Sequence, residues 1–154
     1  MKLIGFNPNR KEINLELKKH LLNGQVEKSG QITYNQVPIW LSKCDLLVLN
    51  RTNDKYSHYG FPTKLGEYLA TGIPTICSKV GNIELYLEHN KNTYFIEPDN
   101  PANLTAAIIA RYKNYDDFNK MGENGKLVVK EEFDYEKFIP TILHVFESTI
   151  KIRY

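Results

Sequence analysis

The stretch from Tyr59 to Ile76 constrains this chain most, because it reads in order as a loop, a helix carrying a carboxylate, and a buried strand. Pro62 suits a first helical turn, where its missing N–H is not needed. Leu65, Leu69 and Ala70 then point to a core, and Gly72 closes the helix in a left-handed conformation. Pro74 stops any continuation, and the branched residues from Ile73 to Ile76 begin a strand. A helix that opens after a glycine-containing loop offers free N–H groups and a positive dipole end to an anion. Lys64 stands in that first turn, where a cation disfavours the dipole unless a phosphate sits beside it. The order of parts therefore suits a diphosphate with its ribose.

The same alternation runs through the rest of the chain. Lys2 to Phe6 reads as a strand, Gly5 to Asn9 as a turn, and Ile13, Leu17 and Leu21 as one face of a helix from about Arg10 to Leu22. Gln25 to Ser29 is a weak strand, and Val37, Trp40 and Leu41 mark a helix with Pro38 near its start. Asp45 to Leu49 is an apolar strand of the kind expected when both faces are covered. Further strands are expected at Thr75 to Ser78 and Thr93 to Ile96, with a short helix near Ile83 to Leu87 between them. Asp99 reads as an N-cap before Pro101, and Leu104, Ile108 and Tyr112 as the buried face of the helix that follows. Two helical segments, Asp116 to Met121 and Gly125 to Glu132, precede a last helix with the stripe Ile139, Leu143, Phe146 and Ile150. Pro140 must kink that helix or mark its start.

Strands alternating with helices predict an α/β fold, a Rossmann-like parallel sheet flanked by helices with right-handed crossovers. Ligands on such sheets bind outside the carboxyl ends of the strands. The loops at Gly5–Asn9, Gly30–Thr33 and Arg51–Lys64 all leave carboxyl ends and are expected to converge on one crevice.

At 154 residues the chain reads as one domain spanning 1–154, with the last helices, about 113–150, packing on it. Its 42% hydrophobic and 25% charged residues are ordinary globular values. A formal charge of +2, with Lys and Arg scattered among acids, excludes a basic nucleic-acid face. Cys44 and Cys77 lie apart in apolar runs and have no metal-like neighbours, which fits a reduced cytoplasmic protein with no bound metal. No signal peptide is expected, and no apolar run approaches the roughly 20 residues of a membrane span. Membrane contact is expected to be at most peripheral, at the inner face.

The block around Glu67 resembles the signature of the group 1 retaining glycosyltransferases of the GT-B fold, an acid-x7-Glu motif before an apolar helix and a Gly-x-Pro strand. Glu67 falls on the second Glu of that motif, Gly60-Phe61 on the Gly-Phe after the first, and Tyr59 where the first Glu normally stands. Phe61-Pro62-Thr63-Lys64 is similar to the Phe-Pro-Ser/Thr-Lys branch, often bacterial surface-polysaccharide transferases. Gly30-Gln31-Ile32-Thr33 resembles the stretch whose backbone cradles the base. Val80-Gly81-Asn82-Ile83-Glu84 and Asp99-Asn100-Pro101 match later family blocks.

The resemblance covers nearly the whole chain and implies the C-terminal, donor-nucleotide half of a GT-B enzyme. It also implies two departures. The acceptor-binding N-terminal domain is missing, as are the usual first strand of this half and its Gly-Arg…Lys-Gly cations. Tyr59 cannot act as a carboxylate, although its hydroxyl can make a hydrogen bond.

On this reading Glu67 accepts bonds from the ribose hydroxyls, and Lys64 neutralises diphosphate charge as the glycosidic bond breaks. These two are the catalytic candidates. Donor contacts are expected from Arg51, Tyr59, Gly60, Phe61, Pro62, Thr63, Gln31, Ile32 and Thr33. Arg51 stands in for the absent cations or is simply a loop arginine. His58 reads as an exposed loop histidine. Glu84 helps the acceptor side or caps a helix.

The resemblance implies no metal and no cofactor, with a UDP- or GDP-sugar as donor. A hexose would pass with retained configuration to a glycan or lipid acceptor, in bacterial surface polysaccharide synthesis. The isolated chain is expected to be weakly active or inactive without an acceptor domain, which another chain can supply. The competing reading is a non-catalytic nucleotide-binding subunit, or a truncated fragment, that needs a partner acceptor domain.

Overall fold

Parallel strands alternate with helices in a computed structural model that describes residues 2–3, 22–28 and 30–151. The chain divides into two compact units, Met1–Cys44 and Asp45–Tyr154. In the first, strand β1 (Lys2–Leu3) pairs in parallel with β2 (Glu27–Lys28). A 3-10 turn over Tyr34–Gln36 runs into helix α1 (Val37–Leu41), which carries Pro38 in its first turn and buries Leu41. The turn expected at Gly5–Asn9 and, apart from Leu22, the helix expected from about Arg10 lie outside the described residues.

The second unit is built on a parallel sheet of β3 (Leu47–Leu49), β4 (Thr75–Ser78) and β5 (Tyr94–Ile96), in that order. Every residue of the central strand β4 is buried. Its alternating side chains divide the core, as the two-residue period of a strand requires. Cys77 joins Leu65, Leu69, Ile83 and Leu87 on one face, and Ile76 joins Ile96, Ala107, Phe118 and Met121 on the other. Two short helices follow β3, α2 (Lys55–Tyr59) and α3 (Thr63–Ala70). After β5 come α4 (Pro101–Lys113), α5 (Tyr115–Glu132) and α6 (Ile139–Lys151).

Gly72 follows α3 at φ +74°, as its sequence predicts, whereas Pro62 is the extended N-cap residue just before the helix and not part of its first turn. Elsewhere the tertiary structure corrects the sequence reading. The apolar run before Asn50 forms a strand only over Leu47–Leu49, paired with β4 alone among the described residues, and Val48 is exposed, so the expectation of two covered faces is not met there. Ala70 is exposed, so Leu65 and Leu69 alone anchor α3. The segment expected near Ile83 to Leu87 is a 3-10 turn over Ile83–Leu85.

The two segments expected around Asp116 and Gly125 are one helix of 18 residues with Gly122 and Gly125 inside it. Glycine there is a packing device and not a break. A Cβ on Gly122 would overlap the Gly72 carbonyl oxygen, and one on Gly125 would lie 2.8 Å from that of Asn92.

The buried face of α4 carries Ala107 and Arg111, whereas Ile108 and Tyr112 are exposed. Arg111 takes the place of an apolar residue because all three guanidinium nitrogens find acceptors. It donates to the carbonyls of Asp45 and Tyr115 and to Asn119 Oδ1, and lies 4.1 Å from the Tyr115 ring centre. The N-cap of α4 is Asn100, whose side chain accepts from the Asn103 amide, and not Asp99. Pro140 lies in the first turn of α6, so it marks the start of that helix. The stripe Ile139, Leu143, Phe146 and Ile150 is exposed along its length.

Candidate functional site

Strands β3, β4 and β5 are parallel, so the loops that follow them leave one end of the sheet. The loop after β3 is fixed by its own polar side chains. Asp54 caps α2 by accepting from the Ser57 amide at 2.8 Å, and it also accepts from the Thr52 hydroxyl. The Thr52 bond first, and the Ser57 amide second, hold the Asp54 carboxyl below its ordinary range. The Asn53 amide donates to Asp99 Oδ2 at 2.9 Å, which ties this loop to the one after β5. Asp99 is itself held at φ +55°. The backbone of Arg51 donates to the hydroxyl of buried Ser78, at the end of β4, and that hydroxyl donates to Asn50 Oδ1.

The Arg51 side chain then closes the loop. Its guanidinium donates to the carbonyl of Gly60 at 2.7 Å and to that of Tyr56 at 3.1 Å. Gly81, at φ +66° after β4, seats against the same segment, since a Cβ there would meet the Ser57 carbonyl oxygen at 2.9 Å. Phe61 is held edge-on by Phe133 and Tyr86, with ring centres 5.4 and 5.7 Å away. The turn Gly60–Pro62 is therefore held by contacts within the protein itself.

That turn delivers the N-terminus of α3. No side chain caps this helix, and the amides of Thr63 and Lys64 find no acceptor among the described residues; the first helical bond runs from the Leu65 amide to Pro62. Leu65 and Leu69 are fully buried, which fixes the rotation of α3 and leaves Thr63, Lys64 and Glu67 exposed. The ion pairs among the described residues are Lys79–Glu84 at 3.0 Å and Lys91–Glu88 at 2.8 Å, so Lys64 and Glu67 are committed to neither. Two free amides, one cation and one carboxylate, spaced along a single rigid turn, can receive a diphosphate and a vicinal diol.

The structure brings Arg51, Tyr59, Gly60, Phe61, Pro62, Thr63, Lys64 and Glu67 into one segment of the second unit. Gln31, Ile32 and Thr33 belong to the first unit, where the Thr33 amide donates to Gln36 Oε1 at 3.1 Å. Tyr59 is 90% exposed, with its hydroxyl unengaged among the described residues. His58 is exposed as expected but stands in the last turn of α2 and not in a loop, with Nε2 2.6 Å from Asn53 Oδ1 in the segment before that helix. Glu84 pairs with Lys79, and the pairing raises the Lys79 pKa, the hydrogen bond contributing more than the charge. Burial pushes the Cys77 thiol up to about 12, which leaves it without nucleophilic use. No group of His, Cys, Asp and Glu among the described residues has the arrangement of a metal site.

Sequence reasoning missed Asp54, Ser78 and Asp99 as organisers of the loop. The Asp54-x-x-Ser57 spacing was a legible cap signal. The contacts of Ser78 and Asp99 cross between strands and left no local trace.

Residues 1–128 match the family described as Glycosyl transferases group 1. A trehalose phosphorylase of Grifola frondosa is 33% identical over 73 residues, which is 47% of this chain and 10% of that protein. TuaC of Bacillus subtilis (strain 168), named as a teichuronic acid biosynthesis glycosyltransferase, is 28% identical over 124 residues, 80% of this chain and 30% of that protein. The crystal structure of Anabaena HepE in complex with UDP-glucose is similar at a TM-score of 0.77 and 18% identity, over 96% of this chain and 40% of that one. The chain thus spans well under half the length of each. At 18% identity the likeness to HepE is one of fold.

Proposed function

The chain belongs to the glycosyl transferases group 1 family, and from that premise we propose that it is the C-terminal, nucleotide-sugar-binding domain of a retaining glycosyltransferase. The donor is a UDP- or GDP-sugar, the transferred group a hexose, and the acceptor a glycan or lipid in bacterial surface polysaccharide synthesis at the cytoplasmic side of the membrane. An N-terminal acceptor domain, on the same polypeptide or on another chain, completes the active site, and residues 1–154 alone turn over slowly or not at all. UDP-glucose in HepE and the teichuronic acid role in the name of TuaC support the donor and the pathway.

The single observation that carries the reading is the uncapped N-terminus of α3, held open by the clamped turn Gly60–Pro62 with Lys64 and Glu67 exposed beside it. Glu67 accepts hydrogen bonds from the ribose hydroxyls. The Thr63 and Lys64 amides and the Lys64 ammonium hold the diphosphate. As the bond from the sugar carbon to the diphosphate oxygen breaks, negative charge grows on that oxygen, and these groups stabilise it most where water is excluded. The same oxygen takes the proton of the incoming hydroxyl, whose oxygen bonds to the sugar carbon on the face the diphosphate leaves. Configuration is retained. No metal is required by these steps, because the helix terminus and Lys64 supply the positive charge.

Calorimetric titration with UDP and GDP, paired with thermal shift, tests the reading. A nucleotide at 100 times its Kd adds about 2.7 kcal/mol, which raises Tm by about 5–10 °C for a chain of this size. Glu67→Ala is expected to abolish most of that rise without lowering the unliganded Tm. Folded protein that gives no heat with either nucleotide overturns the proposal. Equal stabilisation of Glu67→Ala moves the ribose contact elsewhere.

A further inference from the structure

A cavity of about 620 Å3 opens at the amino end of the β3-β4-β5 sheet, opposite the turn that leads into α3. Its walls are the segment before β5, the last turn of α4 and the first half of α5. Half-buried Tyr94 and buried Phe118 stack in its floor, with ring centres 5.3 Å apart and planes 19° from parallel. Around them stand Asn114, Asp117, Lys120 and Asn124.

The side-chain amides are turned by bonds of their own. Asn124 Nδ2 donates to the Lys91 carbonyl at 2.8 Å, and Asn114 Nδ2 donates to that of Ala110 at 3.2 Å. Both amide oxygens are thereby left without a donor among the described residues. Asp117 and Lys120 take part in neither of the ion pairs there. The cavity thus offers two neutral acceptors, one carboxylate and one ammonium over a partly aromatic floor.

That inventory selects a ligand class. A nucleotide or other polyanion would bring its charge against Asp117. An apolar ligand would cover these polar groups without satisfying them, which is costly. A polyhydroxylated neutral molecule donates to the three acceptors, accepts from Lys120, and lays its C–H face on the floor. The volume is that of a pocket for a molecule of a few hundred daltons, within the usual range of about 300–1,000 Å3.

We propose that this cavity binds a neutral saccharide at a site separate from the donor crevice. The inference rests on the cavity alone and goes beyond the transferase reading. The site holds carbohydrate and does not react with it.

Saturation-transfer difference NMR tests it with maltotriose, cellotriose and mannotriose as probes, each at millimolar concentration, with and without saturating UDP. Transfer to at least one trisaccharide is expected, unchanged by UDP and unchanged in Glu67→Ala. The double variant Asp117→Ala/Asn124→Ala removes a charged and a neutral acceptor and should weaken binding at least about tenfold. Should that variant fold poorly, Lys120→Glu at an exposed position gives the same reading. No transfer to any probe, transfer displaced by UDP, or transfer undiminished in a folded cavity variant overturns the proposal.

Discussion

Replacing Gly122 with Ala tests the packing that sets the position of α3. On an open helix face, Gly→Ala stabilises by about 1 kcal/mol. At position 122 the added Cβ would overlap the Gly72 carbonyl oxygen and would lie 2.8 Å from the Pro74 nitrogen and 2.9 Å from the Ile73 carbonyl carbon. All three are main-chain atoms between α3 and β4, so none can move aside by rotating a side chain. Overpacking a tight site costs about 1–3 kcal/mol, and a contact with fixed backbone belongs at the upper end. Subtracting the propensity gain leaves a net loss of about 2 kcal/mol, a fall in Tm of about 4–8 °C at this chain length.

Gly66, inside α3, is the internal control, because a Cβ there would meet nothing within 4 Å. Gly66→Ala is expected to raise Tm by about 2–4 °C through propensity alone. Scanning calorimetry on the two variants and the parent decides the matter. If Gly122→Ala melts at or above the parent, or the two variants shift alike, then α5 does not press on the Gly72–Pro74 backbone as described.

Arg51→Met removes both carbonyl bonds that close the loop and should weaken UDP binding about tenfold while costing about 1 kcal/mol of stability. Arg51→Lys is not expected to rescue it, since an ammonium cannot span two carbonyls as a guanidinium fork does; full rescue by lysine, read by calorimetric titration, would show that only the charge matters. His89 Nδ1 accepts from the Phe95 amide at 3.0 Å, and burial first, then nearby Lys79, lowers its pKa below the ordinary 6.5. The folded state therefore binds that proton less readily than the unfolded chain does. The stability involved is fully present above pH 6.5 and is lost as pH falls through the lowered value. Urea midpoints measured from pH 8 to pH 5 should show this loss, and His89→Asn should flatten it. Cys77, buried with its thiol pushed up to about 12, is expected to resist Ellman's reagent in the native protein and to react in urea; fast native labelling of both cysteines would contradict the burial.

The candidate site was legible where its chemistry is local. Pro62, Thr63, Lys64, Glu67 and Gly72 declare a helix start, a cation, a carboxylate and a left-handed stop within a few residues, and α3 has those bounds. Arg51 shows the limit of such reading. Its position after an apolar strand was plain, but whether its guanidinium faces a ligand or the carbonyls of Tyr56 and Gly60 depends on how the loop folds back. Glu84 is a similar case, since its partner Lys79 precedes it by a turn that only the path after β4 defines.

Local chemistry by itself determined the alternation of strands and helices, their parallel arrangement and the turn that opens α3, because propensity, capping and proline act over one or two helical turns. Tertiary structure decided which faces are covered. Leu104, Ile108 and Tyr112 have the spacing of a buried stripe, yet Ala107 and Arg111 are buried, because carbonyls at Asp45 and Tyr115 are there to satisfy a guanidinium. Gly122 and Gly125 look like breaks until Gly72 and Asn92 approach from elsewhere in the chain and leave no room for a side chain. A pattern of a few residues reports what a segment prefers, and only contacts between distant segments settle what each residue meets.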